Sequence, residues 1–193
     1  MRRWLRVVLV LVATVVVALG MAVPSGSANA GRRAAGPYCG LHWGSLPESG
    51  MRMTTAPVVD VRAGRHACFD RLVVDLGPGP VPHDAYDVRY VPVVRADGSG
   101  QAVPVRGAAD LQVVVRAAAY DRDTGAPTYS FVNGGELVPV GGYGTLRQVA
   151  WAGSFEGQTT LAVGVRARLP FRVFALSGPG SGSRLVVDVA HRW

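Results

Sequence analysis

The stretch Arg-Leu-Val-Val-Asp at residues 71–75 occurs a second time, unchanged, at residues 184–188. Side chains on an extended strand alternate between the two faces of a sheet. Each copy therefore places its leucine and second valine on one face, and its arginine, first valine and aspartate on the other. Two such copies, more than a hundred residues apart, predict two equivalent strands of one β-structure.

Further strand-like runs surround both copies, with Gly, Pro and Asp between them. Alternation of apolar and polar residues is clear at Leu111, Val113 and Val115, and is typical of half-buried antiparallel strands. A short helix at 108–111 or 144–147 is the alternative at those two places. We predict an all-β, single-domain antiparallel β-sandwich of about eight short strands, with a barrel as the alternative. The predicted strands are 58–62, 69–76, 86–91, 111–118, 146–152, 159–166, 171–176 and 184–190.

The first thirty residues have the pattern of a secretory signal peptide. Three arginines precede an almost wholly apolar run at 7–23, and Ala28 and Ala30 then form an Ala-x-Ala cleavage site. The alternative is an uncleaved membrane anchor, because seventeen apolar residues are at the short limit for a spanning helix. We predict a signal peptide at 1–30 and an exported mature chain.

Removal of the leader changes the charge. The mature chain then contains seventeen arginines and thirteen acidic residues, which gives a net charge of +4 spread along the chain. A nucleic-acid binder would show clustered basic residues, so we do not expect nucleic acid as a partner. After cleavage we expect no membrane partner either.

The two cysteines, Cys39 and Cys68, predict a disulfide, because an even pair in an exported chain is usually oxidised. A metal site is the weaker alternative, although His42 and His66 lie close to them in the sequence. Residues 31–56 are rich in Gly, Ala, Pro and Ser without a sustained period. We interpret them as an N-terminal extension tied by the disulfide to a β-sandwich domain at 57–193.

Motifs for catalysis are missing from the sequence. It contains neither a Gly-x-Ser-x-Gly elbow nor a His-Glu-x-x-His pair. Glycan cleavage needs two cooperating carboxylates, but Glu136 and Glu156 lie in turn-like sequence and Asp70 and Asp75 fall on opposite faces of one strand. We therefore expect no enzyme, no cofactor, no catalytic residue and no metal. A small secreted hydrolase with an unrecognised site is the less favoured alternative.

Six segments in order give the chain a resemblance to the AMIN-like domains of secreted and lipid-anchored actinobacterial proteins, from about residue 58 to the C-terminus. The segments are 61–66, 69–75, 88–91, 153–157, 170–174 and 184–191. The related AMIN domains are small β-sandwiches of periplasmic amidases and secretins, which they localise by binding peptidoglycan. The resemblance implies a non-catalytic, envelope-associated β module. We expect the exported chain to be associated with the cell wall and to bind a wall glycan, such as peptidoglycan, or a wall-associated protein.

Candidate ligand contacts come from arginines and aromatic residues. Arg65, Arg71 and Arg184 could bind carboxylates of stem peptides or wall polymers in bidentate fashion. Alternatively, Arg71 and Arg184 pair with Asp75 and Asp188, or with each other's aspartates across adjacent strands. Tyr90 and Trp151 are the candidates for stacking on sugar rings, with core packing as the alternative for each.

A second class of function is also open. An exposed sheet edge could accept a strand from a partner, which would make the chain a protein–protein assembly module of the envelope. A closed barrel with an apolar lumen would instead favour a lipid carrier.

Overall fold

The computed structural model describes residues 38–193, so the predicted leader lies outside the described residues. Within that range the regular structure is one 3-10 turn, Tyr38–Gly40, and eleven strands. The strands are β1 Glu48–Ser49, β2 Val58–Arg65, β3 Phe69–Leu76, β4 Tyr86–Val91, β5 Val94–Arg95, β6 Ala102–Val103, β7 Ala109–Val115, β8 Leu146–Phe155, β9 Gln158–Val165, β10 Phe171–Ser177 and β11 Ser183–Ala190.

The strands form two antiparallel sheets and a small hairpin. One sheet has the order β1-β4-β7-β9-β8, the other has the order β10-β11-β3-β2, and β5 pairs with β6. The predicted antiparallel β-sandwich is confirmed, and each of the eight predicted strands is present with ends shifted by up to three residues. The two short helices considered at 108–111 and 144–147 are wrong, because β7 begins at Ala109 and a turn leads into β8. The strands that the sequence did not predict have two residues each, too few to show alternation.

The two copies of the repeated stretch are neighbours, because β3 pairs with β11. Antiparallel pairing runs the copies in opposite directions, so Arg71 lies opposite Asp188 and Asp75 lies opposite Arg184. Val73 and Val186 face each other at the centre of the pair. The repeat is therefore complementary to itself, with opposite charges facing each other at both ends.

The core lies between the two sheets. Its largest fully buried side chains are Phe171, Leu72, Leu111, Leu146, Leu161 and Leu185. Three of them come from one sheet and three from the other. Burial of a side chain of this size stabilises the fold by about 1.5–3 kcal/mol.

The outer face of the five-stranded sheet is covered by the β5–β6 hairpin. Val94 of this hairpin packs on Ala150, Ala152 and Ala162 in a second, smaller core. The segment that follows the hairpin also lies close to this sheet, since a Cβ on Gly164 would lie 1.9 Å from the backbone carbonyl oxygen of Arg106. The hairpin does not reach the outer face of the four-stranded sheet.

The N-terminal extension closes one side of the sandwich. The Phe171 N–H on β10 donates to the Gly44 carbonyl, and β1 pairs with β4 in the opposite sheet. Glu48 on β1 then accepts a hydrogen bond from the Val173 N–H with its carboxylate. Burial raises the pKa of this carboxyl, and the Val173 bond partly opposes that rise. The extension thus connects an edge of each sheet.

The predicted disulfide between Cys39 and Cys68 is confirmed. It ties the start of the described extension to the residue that immediately precedes β3. Neither cysteine is left free as a thiolate ligand, and residues 38–193 contain no group of three or more His, Cys, Asp or Glu side chains arranged to hold a metal ion. The described helical structure offers no segment long and apolar enough to cross a membrane.

Candidate functional site

Two arginines bind one buried aspartate on the outer face of the four-stranded sheet. Arg71 on β3 donates from Nε and Nη2 to the two carboxylate oxygens of Asp188 on β11, at 2.6 and 2.8 Å. Arg172 on β10 donates from Nε to Oδ2 of the same carboxylate at 3.0 Å, and its Nη2 lies 2.9 Å from that oxygen. The Asp188 side chain is fully buried, whereas the Arg71 and Arg172 side chains are 25% and 42% exposed. The aspartate therefore anchors two guanidinium groups at the surface.

Aromatic rings enclose these guanidinium groups. The guanidinium carbon of Arg172 lies 4.5 Å from the ring centre of Trp43 and 4.9 Å from that of Phe174. The guanidinium carbon of Arg71 lies 5.3 Å from Phe69 and 5.5 Å from Phe174. Cation–π contacts of this kind hold a guanidinium in one orientation. We call this surface the arginine–aromatic face; it consists of Trp43, Phe69, Arg71, Arg172, Phe174 and Asp188.

Strand alternation explains how β10 contributes to this face. Phe171 and Val173 are buried in the core, so Arg172 and Phe174 project from the opposite side. The sequence prediction did not single out Arg172 or Phe174. The alternation at 171–174 was the pattern that could have identified them, because Arg172 and Phe174 alternate with residues that face the core.

The extension contributes Trp43. Its ring centre lies 5.5 Å from that of Phe69, the residue next to Cys68. The disulfide holds the chain four residues before Trp43, and the backbone contact from Gly44 to β10 holds it immediately after. Trp43 is thus fixed from both sides against the sheet.

The arginine–aromatic face has one excess positive charge, because two arginines share one carboxylate. The hydrogen bond to Asp188 raises the pKa of the Arg71 guanidinium, so this group stays charged at all ordinary pH values. In the part of the chain that the structure describes, no hydrogen bond involves Nη1 of Arg71 or Arg172. Free guanidinium donors beside an excess positive charge suit an oxyanion.

The other end of the repeated stretch is arranged differently. Asp75 accepts two hydrogen bonds from Arg62 of β2, at 2.5 and 2.9 Å. Arg184, although opposite Asp75 in the register, donates to the Ser177 carbonyl instead. Arg65 is exposed at the end of β2. Of the three predicted arginines, the structure therefore places Arg71 alone on the arginine–aromatic face.

Tyr90 lies on β4, away from this face. Its hydroxyl donates to the Leu169 carbonyl at 2.9 Å and accepts from the Leu169 N–H at 3.0 Å. Its ring meets Phe171 edge to face, with centres 5.8 Å apart. The remaining surface of Tyr90 lines a cleft of about 520 Å³ together with Asp110 and Arg168. Its hydroxyl is thus committed to the backbone, and part of its ring to the core.

We expect Tyr90→Phe to lower the free energy of unfolding by about 1–3 kcal/mol at pH 7, because both Leu169 backbone groups lose their partner. Burial raises the pKa of Tyr90 from its ordinary value of 10 to about 12. Because the hydroxyl holds its proton more tightly in the folded than in the unfolded protein, it stabilises the fold below pH 10. This contribution to the free energy of unfolding is lost as the pH rises to 12. The difference between the wild type and Tyr90→Phe should therefore shrink over that range. Urea unfolding of both proteins at pH 7, 10 and 12 measures this difference in free energy. A difference that stayed constant would contradict the raised pKa of Tyr90.

Trp151 packs in a second aromatic cluster. Its ring centre lies 5.9 Å from Tyr129 and 5.1 Å from Phe131, on the loop between β7 and β8. On β8, a register shift between Leu146 and Gln148 puts Leu146 on the same buried side as Val149 and Trp151, which strict alternation would not do. Trp151 is consequently half-buried against the main core.

A buried carboxylate–histidine pair lies at the start of β3. The Asp70 carboxylate accepts hydrogen bonds from the backbone N–H groups of Thr145 and Leu146, and it lies 3.0 Å from Nε2 of His191. The Asp70 side chain is fully buried. These contacts tie the turn before β8 and the C-terminal segment to β3.

Backbone contacts from a loop and from the extension occupy parts of the sheet edges. On β8, the backbone N–H of Trp151 donates to Gly134, and the N–H of Leu137 donates to Val149. The extension occupies the start of β10, and β2 has a register shift between Val58 and Asp60. Within residues 38–193, these contacts leave open the end of β10 and the part of β2 that follows Val58.

Comparison with known proteins agrees with this architecture. The family model for the AMIN-like domain matches residues 56–191, which include ten of the eleven strands. No significant match was found among curated proteins or among solved structures. Since the matched segment covers well over half of the sequence, the chain belongs to the AMIN-like domain family.

Proposed function

We propose that this chain is an exported, non-catalytic cell-envelope module that binds a wall polymer through the arginine–aromatic face. Two observations support an envelope location: membership of the AMIN-like family and the Cys39–Cys68 disulfide, which persists outside the reducing cytoplasm. The partner would be peptidoglycan or another polymer of the wall.

The paired guanidinium groups of Arg71 and Arg172 are the observation that carries this proposal. Both are fixed by Asp188 and enclosed by aromatic rings, so binding loses little side-chain entropy. Wall polymers present acid groups on sugar or peptide chains, and an arginine donates to such groups with charge-assisted hydrogen bonds. The neighbouring rings of Trp43 and Phe174 provide apolar surface of the kind on which sugar rings pack.

Co-sedimentation with isolated actinobacterial cell-wall sacculi tests the proposal, using the mature chain from residue 31. We expect retention at both low and high salt, because a built site depends on geometry as well as on charge. Arg172→Gln should reduce the affinity about tenfold or more, since a hydrogen bond to a charged group contributes about 1.5–3 kcal/mol. The fold should survive, because Asp188 keeps its two hydrogen bonds from Arg71.

The matched control is Arg95→Gln. Arg95 is an exposed residue of β5 that donates to the Gly100 carbonyl, so the substitution removes the same charge away from the proposed site. Equal losses of affinity for Arg172→Gln and Arg95→Gln, or retention at low salt alone, would show that the binding is non-specific charge attraction. No retention at all would contradict wall binding and favour a protein partner.

A further inference from the structure

The excess charge of the arginine–aromatic face is not neutralised by any other acidic side chain of the described residues. Asp188 is shared by both arginines. Asp75, the next acidic side chain along this face of β3, is bound by Arg62. Glu48, close by on the extension, accepts from the backbone of β10. A neutral ligand would leave this positive charge without a counterion.

The direction of the guanidinium groups restricts where an anion can bind. Each directs the edge formed by Nε and Nη2 toward the buried carboxylate of Asp188, so Nη1 lies on the edge of the guanidinium that is turned away from Asp188. Arg71 and Arg172 flank Asp188 on adjacent strands, in one row across the sheet. Each arginine therefore keeps an Nη1 donor for a ligand, on its own side of the aspartate.

We propose that the arginine–aromatic face recognises a monoanion with two free oxygens, a carboxylate or a phosphodiester, carried on a wall polymer. The oxygens of the anion accept from the Nη1 groups that Arg71 and Arg172 do not use toward Asp188. The rings of Trp43, Phe69 and Phe174 shield part of the two guanidinium groups from water, which strengthens a charge-assisted hydrogen bond. This inference rests on the proposed function and specifies the chemical group that the module binds.

Two chemical treatments of the sacculi separate the possible sources of the anion. Carbodiimide coupling to ammonia converts the carboxylates of stem peptides and uronic acids to neutral amides. Hydrofluoric acid removes phosphodiester-linked polymers and leaves peptidoglycan in place. Sedimentation of the mature chain is measured with untreated, amidated and acid-extracted sacculi at one fixed salt concentration.

We expect one treatment to lower the affinity at least tenfold and the other to change it less than twofold. Loss on amidation identifies a carboxylate, and loss on extraction identifies a phosphodiester. Unchanged binding after both treatments would overturn the inference while the proposed function stood. Absence of binding to untreated sacculi would overturn both.

Variants test whether the anion that the treatment removes binds at the arginine–aromatic face. Arg172→Gln should lose most of its sensitivity to the effective treatment, whereas Arg95→Gln should respond like the wild type. Arg172→Lys keeps the charge but has no fork of donors, so we expect it to recover less than half of the lost affinity. Full recovery by lysine would show that charge alone matters and would contradict recognition through the guanidinium donors.

Discussion

Asp70→Ala should lower the free energy of unfolding by about 3–5 kcal/mol, the largest loss that we expect from a single substitution. The carboxylate is fully buried and interacts with three groups: two backbone N–H groups at the start of β8 and the ring of His191. Removing one member of a buried, charged network leaves its partners unpaired, which costs about this much. Urea unfolding at pH 7 measures the loss.

Asp84→Ala provides the control for Asp70. Asp84 is 61% exposed, and its carboxylate lies 3.9 Å from Arg52. A surface pair of this kind contributes little, so we expect a change within about 0.5 kcal/mol. Asp70→Asn keeps the side-chain volume and one acceptor oxygen. Its loss in the free energy of unfolding should therefore lie between those of Asp84→Ala and Asp70→Ala. A loss below 1 kcal/mol for Asp70→Ala would show that the surrounding turn does not depend on the carboxylate.

The position of Asp70 was predictable from the sequence, but its partners were only partly so. Alternation along 69–76 correctly placed Asp70 and Asp75 on opposite faces. The self-complementary repeat also implies the β3–β11 register, which brings the end of β11 next to the start of β3. The backbone of Thr145 could not be found in this way. It reaches Asp70 through the long loop between β7 and β8, and that loop has no period from which a position follows.

In the candidate site, too, the residues on strands were predictable and the residue outside them was not. Arg71 was identified because it belongs to the repeated stretch, and its partner Asp188 followed from cross-strand pairing as one of two alternatives. Arg172 joins them because β10 and β11 form a hairpin, which places Arg172 opposite Asp188. Trp43 could not be placed beforehand. Its position depends on the disulfide and on backbone contacts of an extension that shows no regular pattern.

The disulfide leads to the second large expected effect. Replacing Cys39 and Cys68 by alanine should lower the free energy of unfolding by about 3–4 kcal/mol, because the open chain gains the entropy of a loop with a sequence separation of 29 residues. Urea unfolding of the oxidised wild type and the double variant measures the difference. A reducing agent should bring the wild type to the level of the variant and leave the variant unchanged.

The double variant should also weaken wall binding, through Trp43 and not through the arginines. Arg71 and Arg172 keep Asp188 when the disulfide is absent, since all three lie on paired strands. Trp43 loses the covalent tie that holds the extension next to Phe69. Its loss of order should lower the affinity for sacculi by about as much as Trp43→Ala does in the oxidised protein. If the double variant bound as tightly as the wild type while Trp43→Ala did not, Gly44 and β1 would be sufficient to hold the tryptophan in place.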